Sequence, residues 1–65
     1  MANEQTDILR AARDKMVDAR RGWAKVLGEP FDRSKTPDAR AGLVEMQEVI
    51  EAIDRAIEDE LRKPS

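Results

Sequence analysis

Residues 27–38, LGEPFDRSKTPD, interrupt an otherwise continuous helical pattern. Gly28 suits the left-handed position that follows a helix. Pro30 then blocks continuation, because its ring lacks an N–H and clashes with the preceding turn. Further on, Thr36 is a good N-cap and Pro37 fits a first helical position. Asp38 adds negative charge at the positive end of the helix dipole. These signals end one helix near Leu27 and start another near Pro37.

Working outward, the first helix spans 4–27, the connection 28–36 and the second helix 37–63. Asn3 or Thr6 can cap the first start, and Glu4 and Asp7 favour its dipole. Arg62 and Lys63 suit the far end of the second helix, and Pro64 marks its stop.

Apolar residues recur in alternating steps of three and four. They are Leu9, Ala12, Met16, Ala19, Trp23 and Val26 in the first helix, and Ala39, Leu43, Met46, Ile50, Ile53 and Ile57 in the second. This is the seam of a left-handed coiled-coil packing. Folding the second helix back on the first matches residues whose numbers sum to about 66. Leu9 then faces Ile57, Met16 faces Ile50, and Trp23 faces Leu43. The alanines of the first helix fall opposite large side chains of the second, the interdigitation a close-packed core requires. The expected fold is all-α: one antiparallel two-helix hairpin.

The two flanks of the seam differ. One holds Arg13, Arg20, Arg40, Gln47 and Asp54, and the register sets Arg13 near Asp54 and Arg20 near Gln47. That flank reads as solvated. The other holds Ile8, Gly22, Gly42, Val49 and Ala56, with Lys15 its one charge. A glycine inside a helix costs about 1 kcal/mol relative to alanine, which close packing by another helix can offset. Ile8, Gly22, Gly42, Val49 and Ala56 are therefore the expected oligomer interface, joining two hairpins into a homodimeric four-helix bundle.

Composition supports that need. The 65 residues allow one domain. Below roughly 70–80 residues a lone core supplies no more than about 3–5 kcal/mol, and small folds add disulfides, metals or oligomerisation. The chain has no cysteine and no histidine, which removes disulfides and the commonest zinc sites. No cofactor or metal is expected. The net charge of −2 disfavours general affinity for phosphate backbones. Residues 1–10 lack the basic-then-apolar pattern of a signal peptide, and no apolar run suffices for a membrane span. The cytoplasm is the default location.

Candidate chemistry is sparse. Glu45, Glu48, Glu51, Glu58, Asp59 and Glu60 crowd the second helix, mostly opposite the seam. They read as a solvated face with pairs such as Glu51–Arg55 and Glu58–Arg62. The first helix nets +2 (six cations less four anions) and the second −4 (four less eight). Arg10, Arg21 and Lys25 are the candidate nucleic-acid contacts of the first helix, although Asp14 and Asp18 interrupt the ridge. Trp23 and Phe31, the two aromatics, are expected to plug the open end of the hairpin. Their alternative role is as partner anchors.

The stretch Leu43 to Arg62, through its Ile53–Asp54–Arg55 run, superficially resembles helical chorismate mutase segments, but the further helices and basic residues of such a site are missing. In length and hairpin form alone, the chain is similar to small plasmid-regulating RNA-binding hairpin dimers. No enzyme is expected. The sequence points to a small interaction module acting as adaptor, regulator or accessory subunit, with itself or another protein as partner. The alternative is a nucleic-acid-binding regulator using the first helix.

Overall fold

The computed structural model describes residues 3–62. Two helices, α1 (Glu4–Leu27) and α2 (Lys35–Arg62), pack against each other as a hairpin. The expected end of α2 at Lys63 and the stop at Pro64 lie outside the described residues. The Cα framework measures 51 × 14 × 13 Å, a rod with the cross-section of one helix pair.

Of the two possible α1 caps, Asn3 is the one used. Its side-chain oxygen accepts the Gln5 N–H at 2.8 Å, from an extended backbone at φ −89°. Thr6 instead lies one turn inside the helix. The α1 C-terminus departs from expectation, because Gly28 stays right-handed at φ −78°. Its N–H is shared between the carbonyls of Ala24 (3.1 Å) and Lys25 (3.2 Å), and the Glu29 N–H reaches Val26 at 3.1 Å. Bonds to carbonyls three residues back tighten the last turn without a left-handed residue.

The start of α2 also corrects the sequence reading. The helix begins at Lys35, not Pro37, and the side chain that caps its entry turn belongs to Asp32. One Asp32 carboxylate oxygen accepts the N–H of Ser34 (2.9 Å), the N–H of Lys35 (2.8 Å) and the Ser34 hydroxyl (2.9 Å). Thr36 answers from the next turn. Its hydroxyl accepts the Asp32 N–H at 2.9 Å, while its own N–H donates to the Asp32 carbonyl at 3.1 Å. Asp32 and Thr36 thus satisfy each other's orphan groups, a reciprocal arrangement related to a capping box. Pro37 falls inside the helix rather than at its first position.

The expected register holds. Arg13 meets Asp54, Arg20 meets Gln47, and Trp23 overlies Gly42, each within one residue of the pairing read from the seam. The core itself is thin. Among the described residues Ile50, at 2% exposed, is the one large apolar side chain fully buried; Ala39, Gly42, Thr6 and Thr36 are the other buried ones. The remaining seam residues, including Leu9, Met16, Leu43, Met46, Ile53 and Ile57, are half-buried.

Candidate functional site

The two flanks of the hairpin are built differently. On one, the Arg13 guanidinium grips Asp54 through Nε–Oδ1 (2.6 Å) and Nη2–Oδ2 (3.4 Å). The hydrogen bond to Asp54, and then its charge, hold the Arg13 pKa further up than usual. One heptad along, Arg20 Nη1 donates to Gln47 Oε1 at 2.8 Å. These contacts lock the register and leave that flank polar.

Thr6 belongs to the same flank, seven residues before Arg13, yet it is 1% exposed. Its hydroxyl finds no hydrogen-bond partner among the described residues. The sequence marks Thr6 only as a possible cap, and its heptad spacing from the polar Arg13 carries no signal of burial. Thr36 carries a signal of burial, since it precedes Leu43 by one heptad and so belongs to the seam.

The opposite flank contains the expected interface residues, and the structure separates them. Ile8 is 54% exposed, and Gly22 is exposed with nothing within 4 Å of where a Cβ would stand. Val49 and Ala56 are half-buried. Gly42 is different: it is buried within the hairpin, because the Trp23 indole lies on it. A Cβ at Gly42 would stand 2.4 Å from Trp23 Cε2, 2.5 Å from Nε1 and 2.7 Å from Cδ2. Gly42 is therefore the seat of an aromatic ring from its own chain, not an open interface glycine. Next to that ring, Ala19, Gly22, Trp23 and Val26 line a shallow groove on α1.

The aromatics part company. Trp23 is half-buried against α2, whereas Phe31 is 71% exposed on the connection and does not plug the end of the hairpin. Val44, on the outer face of α2, is also exposed, among open concavities that reach Pro37, Arg40, Ala41 and Glu48 on one side and Leu43, Gln47 and Glu51 on the other.

Arg10, Arg21 and Lys25 are all exposed on α1. Asp18 lies 3.8 Å from Arg21, and Asp14 falls between Arg10 and Arg21 in sequence. On α2 the Arg62 guanidinium approaches Glu58 (3.7 Å) and Asp59 (3.9 Å), while Glu51 and Arg55 do not close to ion-pair distance. Among the described residues no group of three or more acidic side chains could hold a metal ion, and no helix is long and apolar enough to cross a membrane. Comparison with protein-family models, with curated proteins and with solved structures gives no match.

Proposed function

We propose that the chain is a non-enzymatic interaction module, a helical hairpin that associates with a second copy through the Ile8–Gly22–Val49–Ala56 flank and serves as adaptor, regulator or accessory subunit. The observation that carries this reading is the thinness of the core, with Ile50 the one large apolar side chain fully enclosed among the described residues. Surface area gives the same message. The chain exposes 5165 Å². A compact protein of its 7.4 kDa mass exposes about 4,200 Å². The excess, about 950 Å², matches the roughly 800 Å² each partner contributes to a standard interface.

The polar Arg13–Asp54 flank suits solvent, and the opposite flank suits a second hairpin. Self-association there leaves Phe31 free at the loop end as an anchor for another protein, since exposed aromatics are frequent hot spots. Sedimentation equilibrium at micromolar concentration tests the reading. It expects the mass of two chains, and a folded single chain would refute it.

A further inference from the structure

We infer that the second copy docks about a two-fold axis at the height of Lys15 and Val49, with Ile8 of each copy seated in the groove beside Gly22 of the other. This deepens the self-association reading above and rests on it.

Three observations converge on that arrangement. Ile8 and Gly22 share one face of α1, fourteen residues apart, or about 21 Å along the axis. One is an exposed apolar knob and the other an open hole lined by Ala19, Trp23 and Val26. A two-fold contact must be self-complementary: where residue i meets j, residue j meets i. Turning α1 about its midpoint between these two residues, Lys15, places each knob over the other copy's hole.

The second helix fits the same centre. Val49 and Ala56 are half-buried on its matching flank, and Val49 is the middle of the heptad series Gly42, Val49 and Ala56, with Gly42 itself covered by Trp23. The observed pairing of Trp23 with Gly42 puts Lys15 and Val49 within a residue of one height. A single axis therefore serves both helices. It sets Val49 against its own copy and brings Ala56 to the height of the other copy's Gly42, where the Trp23 ring forms the groove wall. The small side chains at Gly22 and Ala56 let the helices approach closely, and the surface excess already described is sufficient for such a contact.

Lys15 is the one charge on this flank and falls beside its own copy. Its long side chain can lean outward, and Asp18, one turn on and 80% exposed, is the carboxylate that the partner's Lys15 meets. The two Lys15–Asp18 pairs so formed are symmetric, which offsets the like charges at the axis.

The test compares the wild-type chain with Ile8→Ala and Gly22→Leu by sedimentation equilibrium, with helicity from circular dichroism as the check on folding. Gly22 opens on empty space, so leucine there strengthens the helix rather than breaking it. Each substitution is expected to weaken dimerisation by about tenfold to a hundredfold, since Ile8→Ala removes the knob and Gly22→Leu fills the hole at both symmetric contacts. The absence of native cysteine permits a second measurement. With a short bismaleimide, Val49→Cys is expected to cross-link to itself. An equimolar mixture of Ile8→Cys and Gly22→Cys is expected to cross-link to each other, and Val44→Cys on the outer face is not. Dimerisation that keeps wild-type affinity in both variants, or cross-linking through Val44→Cys in preference to Val49→Cys, overturns this docking and leaves self-association standing. A wild-type chain that is monomeric throughout overturns both.

Discussion

Gly42→Ala should destabilise this protein, although alanine is the better helix former. In an open helical position the exchange gains about 1 kcal/mol. Here the added methyl group would stand 2.4–2.7 Å from three atoms of the Trp23 ring. Carbon contacts settle near 3.5–4.0 Å, so the ring must retreat by about 1 Å or swing off α2. An indole buries roughly 150–250 Å², and uncovering about half of that costs about 2.5 kcal/mol at 25 cal/mol per Å². The net loss is about 1.5 kcal/mol, or about 6–12 °C in melting temperature for a domain this small. Thermal melts followed by circular dichroism at fixed concentration measure it, and the emission maximum of the sole tryptophan reports the ring's exposure. In a Trp23→Ala background the obstacle is gone, so the same Gly42→Ala change should raise stability. That reversal of sign is a coupling between the two positions. If Gly42→Ala raised the melting temperature in the wild-type chain and left the emission unchanged, the seat of Trp23 on Gly42 would be disproved.

Other outcomes follow from the same geometry. Thr6→Val should stabilise the hairpin by about 1 kcal/mol, because it replaces a buried hydroxyl without a partner; a lower melting temperature would show that the hydroxyl is satisfied. Exchanging the charges in Arg13→Asp with Asp54→Arg should recover much of the stability that either single change loses, and no recovery would argue against that contact. The N–H groups of Lys35 and Ser34, and then the Ser34 hydroxyl, hold the Asp32 carboxyl below its usual range. A pKa lowered by folding contributes stability that is complete above the ordinary carboxylate value and is lost as pH falls through the lowered one. Asp32→Asn should therefore lower stability at neutral pH and flatten its decline in acid, as stability measurements between pH 7 and pH 2 would reveal. Trp23→Ala should lower the melting temperature by many degrees, whereas Phe31→Ala should leave it nearly unchanged, since Phe31 is exposed.

The hairpin and its register were legible because the three–four spacing of the apolar residues leaves few ways to align two antiparallel helices. Arg13 with Asp54 and Arg20 with Gln47 follow from that alignment alone. The start of α2 was harder. Asp32 and Thr36 are both good caps, one helical turn apart. The outcome turns on Asp32 gathering three donors at once, a loop geometry that no pairwise preference contains. Gly42 was ambiguous for a related reason. A glycine on a helix face shows that something comes close, but not whether it is a neighbouring chain or a ring from the same one. The size and position of Trp23 decide it here. Hydrophobicity alone points Phe31 to the end of the hairpin. The connection carries it outward instead, leaving Trp23, Leu27 and Leu43 half-buried where the helices part. The flank of Ile8, Gly22, Val49 and Ala56 is legible as a heptad pattern, but the knob and hole within it depend on how far each residue stands clear of α2.

The claim that one hairpin is too thin to stand alone is tested most directly by thermal unfolding across a hundredfold dilution. For a coupled dimer of this length, whose unfolding enthalpy is about 90 kcal/mol, the melting temperature should fall by about 10 °C over that range. An unchanged melting temperature with full helicity at the lowest concentration would contradict it.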